Sequence, residues 1–363
     1  MGLRVRPDVR YPFALHSQSL VRTLLAAAAI AAATALAGCG PSGTPAASDR
    51  HRQPLSERIL ADLEDRHMRK EAPILVRIFK EEAELEVWKQ DNSGHFALLR
   101  TYPICRWSGE LGPKIKQGDR QAPEGFYSIT PGQMNPNSSY YLAINTGFPN
   151  AYDRANGRTG AFLMIHGDCA SAGCYAMTDE QIAEIYALAR ESFFGGQKSF
   201  QLEAFPFRMT PLNMARHRNS PHMAFWKMLK QGYDHFEVTH LEPKVDVCER
   251  RYVFGSESTG QFTPAERCPA YNVSQEIVAM VSDKQRRDDI LMAELISRGT
   301  PTVPVMTAGD GGMNPTFRAA LRTHGGPGAT IRTASGTIPP YVSLPAEPAD
   351  AATGSSAELD PAE

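Results

Sequence analysis

The sequence lacks the short motifs that mark the commonest nucleotide-binding and zinc enzymes. It contains no Walker loop, no glycine fingerprint for a dinucleotide and no HExxH zinc helix. It also lacks an excess of charge of either sign, since 38 Lys and Arg stand against 40 Asp and Glu, for a formal net charge of -2. This balance gives no indication of nucleic-acid binding, which usually needs a basic face. What is present is a chain of 363 residues, 42% hydrophobic, with enough apolar material for one or two domains.

Long hydrophobic runs are also absent. The apolar run at residues 24–37 is too short to cross a bilayer comfortably. Arginines precede it, and it leads into Leu-Ala-Gly-Cys, ending at Cys39, which is typical of a secretory signal and resembles the lipobox of bacterial lipoproteins. We therefore predict a lipoprotein-type signal peptide at 1–38 and lipidation of Cys39, with an ordinary signal peptide as the alternative. Gly40 favours a periplasmic protein anchored to the outer membrane, with the inner membrane as the other option.

Cysteine is scarce, but its number is informative. Six cysteines less the lipidated one leave five, an odd number in an oxidising compartment, where thiols tend to pair. Cys248 and Cys268 lie close enough in sequence to form one disulfide. Cys105 with Cys169 would form the second, although spacing does not prove the connectivity. Cys174 is then expected to be the free thiol.

The middle of the chain has short runs of alternating apolar and polar residues, separated by turn residues, which is typical of β-strands. Strands are predicted within 74–104 and at 125–129, 140–145, 161–166 and 200–205. A helix is predicted between the last two, because Thr178 and Gln181 form a capping box ahead of an apolar stripe. Mostly strands with one inserted helix predict a β-sandwich or β-roll with a helical cap.

Composition and pattern divide the chain further. The predicted segments after the signal are a lipidated Cys with a flexible tether (39–55), an N-terminal helix (56–72), the β-rich domain (73–211), a helical C-terminal extension (212–300) and a disordered tail (301–363). In the extension, Gly232 and Gly299 are predicted to end two helices. The tail is predicted to be disordered because it has too few apolar residues to offset the entropy of ordering.

The strongest chemical signal lies between the predicted strand at 161–166 and the capped helix. A His and a Cys stand there, eight positions apart in sequence, as His166 and Cys174. Backbone N–H groups at such a turn can stabilise a thiolate and then an oxyanion, and Gly173 lets the backbone approach a substrate closely. His166 is placed to take the thiol proton and return it to a leaving amine.

Three other interpretations stay open from the residues alone. In the first, His166 is a core or turn histidine and Cys174 an unreactive buried thiol. In the second, Cys169 and Cys174 form a local disulfide. In the third, His166 and both cysteines bind zinc, but a fourth ligand at a usual spacing is missing. No metal or other cofactor is therefore predicted.

Two motifs resemble the L,D-transpeptidases of the YkuD family. His-Gly at 166–167 followed by SAGC at 171–174 is similar to the family's nucleophile motif, and PEGFYSI at 123–129 is similar to a motif on an earlier strand. The resemblance covers roughly 73–210. It is closer still to the YafK-like branch, through GCYAM at 173–177.

This resemblance implies a YkuD β-sandwich over 73–211 and thiol chemistry on peptidoglycan stem peptides that contain meso-diaminopimelate. Cys174 would attack the carbonyl at the L-centre, with His166 as the base. The backbone N–H groups of Gly173 and Cys174 would bind the oxyanion, and Ser171 would support the loop. The residues predicted to contact substrate are Arg158, Tyr175 and Gly167, the arginine through carboxylates.

One position departs from the general family pattern, since Ala176 stands where most members have Arg. This departure favours the reaction associated with the YafK-like branch, which hydrolyses the bond between diaminopimelate and the terminal lysine of an outer-membrane lipoprotein. The alternatives are an L,D-transpeptidase that forms cross-links or attaches lipoproteins, and a non-catalytic wall-binding lipoprotein. The predicted partners are thus stem peptides, a peptidoglycan-linked lipoprotein and a membrane, but not nucleic acid.

Overall fold

The computed structural model describes a large central part of the chain, comprising Gly2, residues 49–304, Thr307–Ala308 and residues 312–324. The predicted lipidation site at Cys39, most of the predicted signal peptide and residues 325–363 lie outside the described residues. Within the described part, no helix is both long and apolar enough to cross a membrane.

The described residues form short strands and seven α-helices. In chain order the strands are β1 (Ile74–Phe79), β2 (Glu84–Gln90), β3 (Phe96–Pro103), β4 (Arg106–Trp107), β5 (Gly109–Glu110), β6 (Gly125–Ile129), β7 (Met134–Asn135), β8 (Ala143–Asn145), β9 (Met164–His166), β10 (Tyr175–Ala176), β11 (Phe200–Phe205), β12 (Val245–Cys248), β13 (Arg251–Phe254), β14 (Ser256–Glu257), β15 (Asn272–Val273) and β16 (Thr307–Ala308). The helices are α1 (Glu57–Asp65), α2 (Ala151–Ala155), α3 (Asp179–Phe194), α4 (Pro211–Arg216), α5 (Met223–Thr239), α6 (Gln275–Ser297) and α7 (Pro315–His324).

Two five-stranded sheets form the centre of the protein. One has the order β3-β2-β1-β11-β6 and the other the order β4-β10-β9-β8-β7. Both are mixed, because β1 runs parallel to β11 and β9 runs parallel to β10, while their other neighbours are antiparallel. Apolar side chains from both sheets belong to one continuous core. The predicted mainly β architecture with an inserted helix is therefore confirmed.

The central strand β1 is buried on both faces. Ile78 belongs to the core between the sheets, whereas Arg77 and Phe79 point to the opposite face because side chains alternate along a strand. Helix α5 covers that face. The Tyr233 ring lies 6.5 Å from the Phe79 ring, and Glu237 pairs with Arg77 at 2.7 Å. The C-terminal extension thus supplies a third layer, on the outer face of the first sheet.

Helix α3 begins as its capping box predicts. The Thr178 hydroxyl accepts the N–H of Gln181 at 3.2 Å, and the Gln181 side chain accepts the N–H of Thr178 at 2.9 Å. The helix contacts β1 of one sheet and β8 and β9 of the other, with Ile182 and Ile185 fully buried. Because α3 starts just after β10, the cap fixes the direction in which the chain leaves the candidate site.

The prediction that a helix ends at Gly232 is wrong, since α5 continues to Thr239. A Cβ atom at Gly232 would lie 2.4 Å from the rings of both Phe126 and Phe254. Glycine is needed here for close packing against the sheet and not for a helix stop. The end predicted at Gly299 is confirmed, because α6 ends just before it and Gly299 has φ +85°.

The predicted disorder of 301–363 is wrong for the described part of that segment. Strand β16 pairs with β5, and α7 follows it. Phe317 is fully buried, and the Asn314 side chain donates to the carbonyl of Glu82 at 3.2 Å. A few buried anchors therefore order a stretch whose average composition is poor in apolar residues.

Candidate functional site

The two candidate catalytic side chains lie on neighbouring parallel strands. In the register of β9 and β10, Ile165 lies opposite Tyr175 and His166 opposite Ala176. Because side chains alternate, Ile165 and Tyr175 point into the core, and His166 and Cys174 lie on the other face of the sheet. The fold thus places the thiol at the start of β10 and the imidazole at the end of β9, on the same side.

Cys174 is the free cysteine among the described residues and is half-buried. Its sulfur accepts the N–H of Met164 at 3.4 Å and lies 3.8 Å from the carbonyl oxygen of Phe162. Burial raises the pKa of the thiol above its ordinary value, although the Met164 N–H and the charge of Lys114 act in the opposite direction. At neutral pH the group is therefore a thiol that needs a base before it can react.

His166 is held by the backbone carbonyl of the next residue. Its Nδ1 lies 2.6 Å from the oxygen of Gly167. A carbonyl can only accept, so Nδ1 carries the proton and Nε2 is the basic nitrogen. Burial lowers the pKa of His166, against the opposing effects of this hydrogen bond and of Asp168. The neutral ring, whose centroid lies 4.7 Å from that of the Tyr140 ring at an interplanar angle of 36°, therefore offers Nε2 as a proton acceptor.

Ser171 organises the turn that carries the thiol. Its Oγ accepts the N–H of Cys174 at 3.2 Å and that of Gly173 at 3.4 Å, and donates to the carbonyl of Cys174 at 2.7 Å. It also lies 3.0 Å from the hydroxyl of Ser108 on the chain leaving β4. The two N–H groups that the sequence assigns to an oxyanion are therefore engaged by Ser171 in this structure. In this structure these groups hold the turn, and their role in binding an oxyanion stays a prediction.

Gly173 has a conformation that needs glycine. Its φ is +123°, and a Cβ atom there would lie 3.2 Å from Leu163 and 3.7 Å from the carbonyl oxygen of Gln121. The residue before the thiol is thus pressed between the strand segment leading to His166 and a second loop, residues 113–121.

A disulfide fixes the loop between His166 and Cys174. Cys169 is bonded to Cys105, and Cys248 to Cys268. The first bond ties the loop to the chain just before β4, and Phe317 packs against it. Cys169 is therefore neither a partner of Cys174 nor a free zinc ligand, which rules out those two interpretations. Within residues 49–304, 307–308 and 312–324, no three His, Cys, Asp or Glu side chains are grouped for a metal ion.

The three residues predicted to contact substrate lie elsewhere. Arg158 is 9% exposed, donates to Asp153 at 2.9 Å and lies between the rings of Tyr152 and Phe225. Its guanidinium is thus already paired in the interior. This position corrects the predicted carboxylate contact, because the guanidinium is buried, paired with Asp153 and enclosed by two rings.

Tyr175 and Gly167 are corrected in the same way. Tyr175 is fully buried, and its hydroxyl donates to the carbonyl of Pro123. Gly167 packs so tightly that a Cβ atom would lie 2.5 Å from Asp179 and 3.0 Å from the carbonyl oxygen of Tyr140. Tyr175 therefore belongs to the core, and Gly167 positions His166.

Sequence reasoning missed the loop at 113–121 beside the thiol. The carboxylate of Asp119 accepts the N–H groups of Ile115 and Lys116, both at 2.9 Å, and of Gln121 at 3.0 Å, and it pairs with the Lys114 ammonium. Burial raises the pKa of Asp119, but these hydrogen bonds outweigh burial and hold it below its ordinary value. The loop could have been predicted from Asp119, which stands between Gly118 and Arg120, because Asp side chains in turns commonly accept nearby backbone N–H groups.

Comparison with known proteins identifies the family. Residues 74–194 match the L,D-transpeptidase catalytic domain, YkuD. The protein YafK of Escherichia coli (strain K12), whose name places it among the L,D-transpeptidases, is 51% identical over 182 residues, which are 50% of this chain and 74% of YafK. YafK of Escherichia coli O157:H7 gives the same values.

Two solved structures are also similar. The helical cell shape determining protein Pgp2 from Campylobacter jejuni is 21% identical, with a TM-score of 0.30 over 42% of this chain and 55% of that one. Bd1075 of Bdellovibrio bacteriovorus is 18% identical, with a TM-score of 0.26 over 38% and 48%. This chain spans about half the length of each solved chain. From the extent and identity of its match to YafK, the chain belongs to the L,D-transpeptidase family with the YkuD catalytic domain.

Proposed function

We propose that this protein is a cysteine-dependent hydrolase that cuts the bond between the L-centre of meso-diaminopimelate in a stem peptide and the terminal lysine of an attached lipoprotein. The family acts on peptidoglycan stem peptides, and the match to YafK supports the branch. The observation that carries the proposal is the free thiol of Cys174, on the same face of the sheet as the neutral, tautomerically fixed His166.

The reaction begins with a proton transfer. Nε2 of His166 takes the proton of the Cys174 thiol, and the thiolate attacks the carbonyl carbon at the L-centre. The proton then passes from His166 to the departing lysine amine, the C–N bond breaks and a thioester remains. Water, losing a proton to His166, attacks the thioester. The products are a stem peptide with a free carboxylate and the regenerated thiol.

The thiol and the imidazole have other hydrogen-bond partners in this structure. The Cys174 sulfur lies between the Met164 N–H and the Phe162 carbonyl, and the His166 ring bonds the Gly167 carbonyl. The proposed reaction therefore requires the thiol to leave Phe162 and engage His166 when substrate binds, as catalytic hydrogen bonds commonly tighten only in the complex. Phe162 is 77% exposed, so a substrate can reach this side of the thiol.

Hydrolysis is preferred over transpeptidation because of Ala176. Most family members have Arg at this position, and here a fully buried methyl group replaces it. Ala176 lies opposite His166 in the sheet, and its carbonyl accepts the N–H of Cys105 at 2.9 Å. No cation stands at this position to hold a second stem peptide near the thioester.

The cellular location is part of the same proposal. Lipidation of Cys39 would anchor the protein in the outer membrane on its periplasmic side. The tether predicted at 39–55 is shorter than expected, because Arg50–Arg52 form a 3-10 turn, Arg190 donates to the carbonyls of His51 and Gln53, and Leu55 is buried. From there the thiol would reach lipoproteins that join this membrane to peptidoglycan.

The test uses two substrates, peptidoglycan with attached lipoprotein and peptidoglycan with tetrapeptide stems. Purified protein and the Cys174→Ala variant are incubated with each, and the products are identified by mass spectrometry. Release of lipoprotein and tripeptide stems, lost in the variant, supports the hydrolase. New linkages to diaminopimelate or lysine would make the protein a transpeptidase. The absence of any Cys174-dependent change would reject both activities and favour the wall-binding lipoprotein.

A further inference from the structure

A cleft of about 500 Å³ is lined by residues of the loop that adjoins the thiol-bearing turn. Residues of β5 and of the loop at 113–121 line it, with His222 at the start of α5 closing one end. The cleft adjoins Gly173, since a Cβ atom there would lie 3.8 Å from the carbonyl carbon of Arg120. None of the residues assigned so far to the reaction lines this cleft.

Arg120 supplies a positive charge to the cleft. It is exposed and lines the cleft, and its guanidinium has no ion pair within the described part of the chain. Its backbone is in the left-handed region, with φ +54°, a conformation that costs an arginine about 1 kcal/mol or more. The strained residue is held by its neighbour Asp119, whose carboxylate accepts three backbone N–H groups of the loop. The loop backbone that carries Arg120 is therefore ordered.

Glu110 brings a negative charge to the same cleft. Glu110, in β5, is exposed, and its N–H and C=O groups are bonded to the Gln121 side chain at 2.7 and 2.5 Å. Its backbone is thus fixed, and the residue lines the same cleft as Arg120. Lys116 and Asp119 also line the cleft, but the Asp119 carboxylate is already engaged by the loop and by Lys114. A cleft that offers both cations and an anion suits a ligand that carries both charges, an amino-acid zwitterion, better than a simple anion.

We propose that this cleft binds the free amino-acid end of the diaminopimelate side chain, with Arg120 on its D-centre carboxylate and Glu110 on its ammonium group. The inference rests on the proposed function, because it names how that substrate is recognised. Diaminopimelate carries an amino-acid group at each end. When the L-centre carbonyl lies at Cys174, the other end must lie a side chain's length away, and the cleft begins beside Gly173.

The first test measures binding without turnover. In the Cys174→Ala background, calorimetry compares a tripeptide stem whose D-centre carboxylate is free with the same peptide amidated at that carboxylate. With Arg120 intact, we expect the free carboxylate to bind roughly ten-fold more tightly, the size of one charge-assisted hydrogen bond. Arg120→Gln should remove this preference without changing the binding of the amidated peptide. Arg287→Gln, an exposed arginine on α6, is the matched control and should retain the preference.

Three outcomes would overturn the inference: equal binding of the two peptides with Arg120 intact, an unchanged preference in Arg120→Gln, or no binding of either peptide. Turnover separates the inference from the proposed function. If turnover depended on Cys174 but Arg120→Gln and the parent protein had the same KM, the proposed hydrolase activity would be supported and the proposed binding of diaminopimelate in the cleft would be rejected. If the preference for the free carboxylate depended on Arg120 but no turnover depended on Cys174, the proposed binding in the cleft would be supported and the proposed hydrolase activity would be rejected.

Discussion

Ser171 both accepts the backbone N–H of Cys174 at 3.2 Å and donates to the carbonyl of the same residue at 2.7 Å. One hydroxyl therefore fixes the peptide groups on both sides of the thiol-bearing carbon. A sulfur that is to attack a carbonyl must be held within a fraction of an ångström, and Ser171 is the side chain that restrains it most directly.

Replacing Ser171 by Ala should lower kcat by roughly ten- to a hundred-fold, because a freed turn misplaces the thiol. The free energy of unfolding should fall by about 1–3 kcal/mol, since the N–H and C=O groups lose a partner. Steady-state kinetics with lipoprotein-bearing peptidoglycan and urea denaturation would measure the two effects.

The matched control is Ser108→Ala. Ser108 is fully buried and contacts the Ser171 hydroxyl at 3.0 Å, whereas Ser171 itself bonds the N–H and C=O groups of Cys174. We expect a loss of about 1 kcal/mol in stability and a kcat close to that of the parent protein. Equal loss of kcat in the two variants would mean that the pair, and not Ser171 alone, sets the position of the thiol.

Removing the Cys105–Cys169 disulfide should affect both folding and turnover. The bond spans 64 residues in sequence, and its loss, in a variant with Ala at both positions, should cost about 2–5 kcal/mol. The loop after His166 then loses its attachment next to β4, so kcat should fall by roughly ten-fold or more. Thermal denaturation and kinetics below the lowered Tm separate the two effects.

The second disulfide provides the control. Cys248 and Cys268 join the end of β12 to the chain before β15, within the C-terminal extension. Their double Ala variant should lose stability by about 2–4 kcal/mol and keep its kcat. If kcat fell equally in both double variants, the effect would be one of general stability, and the inferred role of the Cys105–Cys169 bond in holding the site would be wrong.

The directions of the two pKa shifts predict how activity depends on pH. Burial lowers the pKa of His166 below its ordinary value of 6.5. The ring therefore stays neutral, and able to accept a proton, to a lower pH than an ordinary histidine. The acid limb of kcat/KM should therefore have its midpoint below pH 6.5. Burial raises the pKa of Cys174 above its ordinary value of 9.0, so alkylation by iodoacetamide should reach half its maximal rate above pH 9.0.

Alkylation is followed by mass spectrometry, with Cys174→Ala as the control that takes up no label. A half-maximal rate near neutral pH would show a preformed thiolate paired with an imidazolium, in contrast to the neutral pair inferred here. His166→Ala should remove the acid limb of any residual activity while leaving the alkylation profile almost unchanged, because the thiol in this structure contacts Met164 and Phe162.

The parts of the fold that the sequence predicts well depend on local pattern. Strands β6 and β11 have the predicted bounds, and Thr178 caps α3 as predicted, because alternation and a capping box act over a few residues. The position of the thiol after a strand and before a capped helix belongs to the same local signal. The pairing of β9 with β10 in parallel is not local, and no pattern within 164–176 indicates it.

Residues whose surroundings come from distant parts of the chain were predicted less well. Arg158 resembles a surface cation in sequence, but Phe225, from the C-terminal extension, covers it. The hairpin of β12 and β13 is held by packing against α5 and by its disulfide, neither of which its own sequence reveals. Similarly, the order of α7 comes from one buried side chain, Phe317.

Gly232 offers a direct test of such long-range packing. An alanine methyl group there would lie 2.4 Å from the rings of Phe126 and Phe254, closer than atoms can approach. Gly232→Ala should therefore destabilise the protein by about 1–3 kcal/mol through overpacking, although alanine favours a helix by about 1 kcal/mol over glycine. Gly132→Ala is the control, because the nearest atom to its Cβ would lie 3.9 Å away, and it should change stability by less than about 0.5 kcal/mol. If Gly232→Ala stabilised the protein, helix propensity would outweigh packing, and α5 would lie less tightly on the sheet than the ring contacts indicate.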